Sequence, residues 1–385
     1  MNSLSLKYMF RKINSLVLIT INSFLLSAQD ADTVNKKISL LFIGDIMGHD
    51  EQIWSAEDRE THTYNYDDVF RYVKDEISEA DIAIANFEVT LAGYPYSGYP
   101  TFSSPAELAT ACFNAGIDVF ANANNHAADR GNKGILSTIS TLDSLCIPHT
   151  GSFRDSAEKD TLYPMIIKKN GFSLALLNYT YGTNGIKVQP PVIVNVLEKK
   201  SVSADIEKAK SLNPDAIILF LHWGTEYDTM PSKIQTDLAD YFFSRGVDMI
   251  IGSHPHVLQR MEWTKNDSSL KDRIAVYSLG NYVSNQRTIR RDGGAMIRIE
   301  LTKAVDSIYV SDADYYLTWV YAPLENYRTR FFVLPCSKYE TKPEFFAKPA
   351  DYNKMKLFIS NSRRLLNKQN IGINELIFSG TYWMY

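Results

Sequence analysis

The feature that most constrains the fold of this 385-residue chain is a regular alternation of short apolar runs and amphipathic segments after residue 37. Several runs are apolar throughout, which is typical of parallel strands covered on both faces. Strands that alternate with helical patterns predict βα units and a largely parallel sheet, and so an α/β fold. The predicted strands are residues 38–43, 82–85, 117–121, 173–177, 216–221, 248–251, 274–279 and 295–301.

The segments between these strands have helical spacing. In residues 67–80 the apolar side chains recur on one helical face. Another helix is predicted to have Ser104 as its N-cap and Pro105 at its first position. This helix covers residues 105–115, and further helices are predicted at residues 134–145, 204–212, 234–245 and 352–366.

Side chains that can bind metals follow the predicted strands directly. The run Gly252-Ser253-His254-Pro255-His256 places two histidines one residue apart after a glycine turn, and neutral imidazole is the commonest protein ligand for zinc-like metals. Because ligand sites in such folds lie beyond the carboxyl ends of strands, these residues are expected to meet in one crevice. The predicted metal ligands are Asp45, Glu88, Asn125, His222, His254 and His256.

Each ligand also has a structural alternative, such as helix capping for Asp45, a turn for Asn125 or core packing for His222. The set as a whole favours a hydrolytic metal centre, which needs carboxylate, imidazole and amide donors around an open position. Such mixed donors suit Zn²⁺, Mn²⁺ or Fe²⁺ alike. The sequence therefore predicts a divalent metal ion without specifying which.

The first residues differ from the rest of the chain. A basic segment at residues 7–12 precedes the apolar run 16–26, and small residues follow it. This pattern predicts a signal peptide over residues 1–28 and a mature chain that begins near Gln29. The alternative is a retained membrane anchor, but the run is shorter than the roughly 20 residues of a spanning helix. We therefore expect an exported, periplasmic or envelope-associated protein without an integral span in the mature chain.

Charge and cysteine content exclude two classes of protein. The net charge of −4 and the pI of about 6.0 give no electrostatic case for nucleic-acid binding, which a clustered basic face would indicate. Three cysteines permit at most one disulfide within the chain. The chain is therefore not a disulfide-scaffolded protein.

Six motifs, in order, carry a resemblance to a known family. They are Gly-Asp-Ile-Met, Ala-Asn-Phe-Glu-Val-Thr-Leu, Ala-Asn-Asn-His-Ala-Ala-Asp-Arg-Gly, Leu-His-Trp-Gly-Thr-Glu-Tyr, Gly-Ser-His-Pro-His-Val and Tyr-Ser-Leu-Gly-Asn-Tyr. Over residues 38–300 the chain resembles the CapA family of capsule-synthesis proteins, associated with poly-γ-glutamate. That family is similar to the calcineurin-like metallophosphoesterases. The resemblance implies a four-layer α/β/β/α sandwich over residues 37–302, with residues 303–385 as a C-terminal extension, a subdomain or the far side of the same fold.

The resemblance also implies how a first metal would be held. Asp45 resembles the opening aspartate of the phosphoesterases, Glu88 stands where they place the carboxylate that bridges two metals, and His256 would complete the site. Those enzymes carry a histidine two residues after the aspartate, whereas this chain has Met47, and a thioether is a poor ligand for hard or borderline ions. His49 is an alternative candidate for the ligand that is missing at position 47. A one-ion centre is therefore favoured over a two-ion centre.

The same resemblance implies a complete set of ligands for a second metal. Asn125, His222 and His254 would hold it. His126 resembles the histidine that protonates the leaving group, and because neighbouring side chains generally diverge, Asn125 and His126 are not expected to share one metal. His126 is therefore predicted to transfer a proton.

Further residues of these motifs are predicted to assist. Asp129 and Arg130 continue the loop of the third motif, and Arg130 is either an anion clamp or a partner of Asp129. Asn86, Glu226 and Asn281 are predicted to bind substrate, with Glu226 alternatively orienting an imidazole.

The leading hypothesis is an exported metal-dependent hydrolase or transferase that acts on an envelope polymer, such as γ-linked polyglutamate, a peptide or a phosphodiester, or on its precursor. One alternative is a non-catalytic accessory factor for capsule assembly or export, with capsule-assembly proteins as partners. Another is a periplasmic module that binds an anionic polymer. Met47 favours the accessory factor, whereas Asn125, His126 and the other motif histidines favour the enzyme.

Overall fold

The computed structural model describes residues 35–265, 272–305 and 307–384. The predicted signal peptide at residues 1–28 lies outside the described residues. Within the described ranges, none of the helices combines the length and apolar character needed to span a bilayer.

The larger of two central sheets is built around the strand Lys36–Ile46. This strand runs parallel to Ile82–Phe87 and antiparallel to Gly293–Lys303. In order, the strands of the large sheet are Phe332–Pro335, Ile308–Tyr321, Gly293–Lys303, Lys36–Ile46, Ile82–Phe87, Val119–Ala121 and His149–Thr150, with Asn281–Val283 beside Lys36–Ile46 and Asn374–Glu375 beside Ile308–Tyr321.

The smaller sheet consists of parallel inner strands with an antiparallel strand at each edge. In order, its strands are Met261–Thr264, Arg273–Val276, Met249–Ser253, Ala216–His222, Phe172–Thr180 and Met165–Lys169. Short two-stranded pairs are Glu57–Asp58 with Thr63–Tyr64, Ser152–Phe153 with Ile193–Val194, Leu324–Glu325 with Arg328–Thr329, and Ile377–Phe378 with Trp383–Met384.

The two sheets pack face to face. Phe42 of the large sheet and Phe220 of the small sheet lie in the core between them, with ring centroids 6.3 Å apart. Successive strand residues face opposite sides, so Ile43 and Leu219 lie in separate outer cores that the helices cover. The predicted four-layer α/β/β/α sandwich is therefore confirmed.

The helices form the two outer layers and the connections. They are Asp50–Ala56, Asp67–Phe70, Lys74–Ser78, Ala106–Asn114, Gly131–Ser144, Ser156–Leu162, Lys199–Ser211, Lys233–Ser244, Cys336–Tyr339 and Pro349–Gln369, with a 3₁₀ turn at Pro343–Phe345. The single helix predicted over residues 67–80 is wrong, because two short helices replace it. The break contains Tyr72, whose ring contacts Phe332, Tyr339 and Phe345 from a distant part of the chain.

The predicted cap of the next helix is also displaced. Pro105, rather than Ser104, is the N-cap, with an extended ψ of 145° and the helix beginning at Ala106. Ser104 instead donates its backbone N–H to the Thr90 carbonyl at 2.9 Å. The interaction with the preceding loop holds Ser104 outside the helix.

The chain after residue 303 continues the large sheet. Ile308–Tyr321 pairs along its length with Gly293–Lys303, and Phe332–Pro335 extends the sheet by a further strand. Met355 and Phe358 of the last long helix lie in the core between the sheets. The division of the chain at residue 302 into a domain and an extension stays a prediction.

Candidate metal centre

The candidate metal centre lies where the carboxyl ends of strands from both sheets meet. The residues predicted as ligands occupy the last positions of these strands or the loops that follow them. The large sheet supplies Asp45, Glu88 and Asn125, and the small sheet supplies His222, His254 and His256, all of them buried.

Among the described residues, three groups of potential ligands have their donor atoms within 4.8 Å of one another. The first two groups share Glu88, the residue that the family resemblance makes a bridging carboxylate. The groups are Glu88 with His222 and His254, Asp45 with Glu88 and His256, and Glu226 with His254 and His256.

His222 is held with one nitrogen toward the other ligands. Its Nε2 lies 2.8 Å from Asn125 Oδ1 and 3.6 Å from Glu88 Oε1, and its Nδ1 lies 3.0 Å from Ser253 Oγ. Burial, and after it the neighbouring His254, lowers the pKa of His222 well below its ordinary value. The imidazole is therefore neutral, which is the form that binds metal.

His256 is oriented by two oxygens. Its Nδ1 lies 3.0 Å from Asp45 Oδ2 and 3.1 Å from Asn281 Oδ1. A ring nitrogen between two acceptors carries the proton, which leaves the other nitrogen with a lone pair that can bind a metal. That nitrogen, Nε2, lies 3.8 Å from Glu88 Oε1.

Two asparagines connect the ligands. Asn86 Nδ2 donates to Asp45 Oδ1 at 2.8 Å and lies 3.2 Å from Glu88 Oε2. Asn281 contacts His256, and both asparagines are buried. The structure thus places them beside the ligands, and their contact with substrate stays a prediction.

The loop that carries the paired histidines has left-handed backbone at both of them. The φ angles are 98° at His254 and 56° at His256. Backbone in this region is costly for a side chain with a Cβ and persists where the surroundings impose it. Hydrogen bonds from Trp223 N to Ser253 O and from Tyr227 N to Pro255 O hold the loop.

The donor atoms fit a divalent cation. Glu88 Oε1 and His254 Nδ1 are buried without a hydrogen-bond partner in the part of the chain that the structure describes, and such groups are rare in proteins. Burial, and then the Asp45 carboxylate, raises the pKa of Glu88 well above its ordinary value. A cation would partner both atoms and favour the ionised carboxylate.

His126 lies beside this cluster but in none of its ligand groups, as far as the described residues go. Its Nδ1 is 2.8 Å from Asp129 Oδ2, which also accepts from Phe102 N at 2.6 Å. The His126 ring packs edge-on against Phe102, with centroids 4.6 Å apart. Asp129 therefore fixes the orientation of the ring, and a role for His126 in proton transfer stays a prediction.

Arg130 faces a different part of the loop region. Its guanidinium donates to Ser97 Oγ and to the Pro95 carbonyl. The partner of Asp129 is thus His126 rather than Arg130. A role for Arg130 as an anion clamp stays a prediction.

Comparison with known proteins identifies the family. Residues 39–286 match the family described as bacterial capsule synthesis protein PGA_cap. The chain belongs to this family. It is 31% identical over 285 residues to the capsule biosynthesis protein CapA of Bacillus anthracis, covering 69% of this chain and 64% of the relative. The chain therefore spans slightly less than two thirds of that protein's length.

The family match and a second relative confirm the predicted resemblance to CapA. The PGA biosynthesis protein CapA of Bacillus subtilis is 27% identical over 69% of this chain and 68% of its own length. Among solved structures, the calcineurin-like phosphoesterase YfkN of Bacillus subtilis has a TM-score of 0.46 at 15% identity, covering 86% of this chain and 99% of that chain. The NAD nucleotidase of Haemophilus influenzae has a TM-score of 0.46 at 13% identity, covering 89% and 64%.

Met47 and His49 of this PGA_cap-family chain make other contacts. Met47 is buried in the outer core of the large sheet. His49 precedes the helix Asp50–Ala56, and its Nδ1 accepts from Asn285 N at 3.2 Å. His49 caps the helix and contacts a neighbouring loop, so its contacts do not support it as a replacement for the ligand missing at position 47.

The sequence reasoning missed three side chains of the site. The ring of Tyr181 lies 4.5 Å from that of His254, Ser253 contacts His222, and Tyr227 lies 6.2 Å from the His256 ring. Tyr181 is the first residue after the strand Phe172–Thr180, so the strand-end rule that found the ligands could have found it.

Proposed function

We propose that this PGA_cap-family protein is an exported metal-dependent hydrolase or transferase that acts on a cell-envelope polymer, such as poly-γ-glutamate, a peptide or a phosphodiester. One observation carries the proposal. Glu88 Oε1 and His254 Nδ1 are buried without hydrogen-bond partners among the described residues, and they lie beside a paired histidine and carboxylate, His126 and Asp129. The capsule and PGA biosynthesis names of the relatives supply the class of polymer.

The proposed ion is held by Glu88, Asn125, His222 and His254, and Zn²⁺, Mn²⁺ and Fe²⁺ all suit these donors. Two buried neutral imidazoles and a carboxylate next to an amide oxygen support this assignment. When bound, such an ion polarises an acyl or phosphoryl oxygen and acidifies a water molecule.

The neighbouring side chains position the reacting groups. Ser253 holds the His222 ring, and Tyr181 packs over His254 on the more exposed side of the site. Asp129 accepts the Nδ1 proton of His126, so that His126 Nε2 gives a proton to the leaving group. A positioned acid of this kind typically contributes about 10²–10⁴-fold in rate.

Export completes the proposal. The basic, apolar and small-residue pattern of residues 1–28 supports it, as does the capsule context of the relatives. The proposed location is the periplasm or the cell envelope, with the polymer or its precursor as the partner.

The test uses the mature protein, reconstituted separately with Zn²⁺, Mn²⁺ or Fe²⁺. Candidate substrates are poly-γ-glutamate, γ-glutamyl peptides and a chromogenic phosphodiester. We expect metal-dependent cleavage or transfer of one substrate class by the wild type, and its loss in His126→Ala. A protein that holds metal but turns over none of these substrates would instead be the accessory factor that Met47 favours.

A further inference from the structure

Glu226 lies on the solvent-exposed side of the metal centre. Its carboxylate lies within 4.8 Å of the donor atoms of His254 and His256, and it is exposed whereas both histidines are buried. The proposed ion of the Glu88, His222 and His254 group does not use it. Its negative charge therefore faces the donors from the solvent side.

The backbone fixes Glu226 in this place. The chain turns at Gly224, where φ is 95° and an added Cβ would meet Gln235 at 2.7 Å. The next residue after Glu226, Tyr227, donates its N–H to the Pro255 carbonyl at 2.8 Å. Pro255 separates the two histidines, so the loop of Glu226 and the histidine loop are joined at the point where their side chains meet.

The Asp45, Glu88 and His256 group is short of a ligand. Met47 stands where the resemblance to the phosphoesterases implies a histidine, and it lies in the apolar core. Asp45 is already engaged, since it accepts from Asn86, from His254 N and from His256 Nδ1. This carboxylate has about four lone-pair positions, so about one remains for an ion, and the group needs a further donor.

We propose that Glu226 is a metal ligand that completes a second ion position with His256, Glu88 and Asp45, in place of the histidine that Met47 replaces. This inference rests on the proposed metal centre. The buried Glu88 Oε1 has no hydrogen-bond partner in the described part of the chain and lies 3.8 Å from His256 Nε2, and Glu226 belongs to one ligand group with His256. A carboxylate oxygen beside imidazole nitrogens is a donor set that Zn²⁺ and Mn²⁺ accept.

The test counts ions in the full mature chain. Metal-free protein is titrated with Zn²⁺ or Mn²⁺ by calorimetry, and bound metal is measured after gel filtration. We expect two ions in the wild type and one in Glu226→Ala and Glu226→Gln. The matched control is Asp228→Asn, which removes the same charge from the same exposed loop and should keep both ions.

The size of the effect on metal binding distinguishes a ligand from an outer partner, which is a residue that only hydrogen-bonds to a ligand. Loss of an outer partner typically weakens metal binding about 10–100-fold, whereas loss of this ligand should remove the second ion altogether. His256→Ala should remove the same ion, and adding Glu226→Ala to it should change nothing more. A wild type with one ion, or a Glu226→Ala variant that keeps two with unchanged affinity, would overturn the inference alone. A wild type that takes up no ion would overturn the metal centre itself.

Discussion

His126 Nδ1 lies 2.8 Å from Asp129 Oδ2, and both side chains are buried beside the metal-ligand cluster. The neighbouring Asn125 instead directs its Oδ1 to within 2.8 Å of His222 Nε2. Two adjacent residues thus face different partners, one the cluster and the other a carboxylate. This geometry supports separate roles for the two residues in metal binding and in proton transfer, which stay predictions.

The first prediction concerns that separation. His126→Ala should lower turnover by about 10²–10⁴-fold, because a positioned acid is lost, while metal content stays at the wild-type level. Asp129→Asn should lower turnover in the same direction, because the ring loses the acceptor for its Nδ1 proton. Activity and metal content are measured on the same samples. Loss of metal from His126→Ala would make His126 a ligand and contradict the assignment.

The second prediction concerns the metal-free protein at mildly acidic pH. Burial, and after it His256, lowers the pKa of His254 to about 4 from 6.5. Between these two pH values His254 is protonated in the unfolded chain and neutral in the folded chain. The stabilising contribution of His254 to the free energy of unfolding is therefore complete above about pH 6.5 and is lost as the pH falls toward 4.

Denaturation of metal-free wild type and His254→Asn between pH 7 and pH 5 measures this effect. The wild type should lose more stability than the variant as the pH falls. Comparing the two proteins isolates His254 from Glu88, whose pKa is raised by burial and whose contribution has the opposite sign. Equal losses in the two proteins would show that His254 does not resist protonation.

Much of the site follows from the sequence because it depends on strand ends. Apolar runs locate the strands, and parallel strands end at one edge, so Asp45, His222 and His254 are predicted together. The orientation of His256 is different. Its Nδ1 proton is fixed by Asp45, which lies 211 residues away, and no local pattern reports such a contact.

Some elements of the fold were not predicted, because their local sequence signals were weak or because contacts with distant residues overrode them. The strand Met165–Lys169 was not predicted, although Asn170 and Gly171, with φ of 52° and 81°, form the Asn-Gly turn that is typical of a hairpin. The break at Tyr72 depends instead on aromatic rings more than 250 residues away, and helical spacing alone cannot reveal it.

The third prediction concerns the strand that leads into the paired histidines. In Gly252→Ala the new Cβ would stand 2.0 Å from the Tyr277 carbonyl oxygen and 2.6 Å from Trp223 Nε1. Because backbone cannot move aside freely, we expect a loss of about 1–3 kcal/mol in the free energy of unfolding. Gly182→Ala, which meets nothing within 4 Å, should change it by less than about 0.5 kcal/mol. Similar urea denaturation midpoints for both variants would contradict the packing argument.

The fourth prediction concerns export. Expressed with its own N-terminus, the protein should be recovered from the envelope or periplasmic fraction and begin near Gln29, because residues 1–28 have the pattern of a cleaved signal peptide. Mass spectrometry of the mature chain measures this. An intact N-terminus held in the membrane would indicate an anchor instead.

The central claim is that the strand ends form a metal centre, and anomalous diffraction from metal-loaded crystals tests it most directly. The account predicts a peak bounded by Glu88, His222 and His254, with His126 outside its coordination sphere. His254→Ala/His256→Ala should stay folded by circular dichroism and lose the metal, whereas His149→Ala should keep it. A wild type without an anomalous peak at this edge, or a double variant with undiminished metal, would contradict the account.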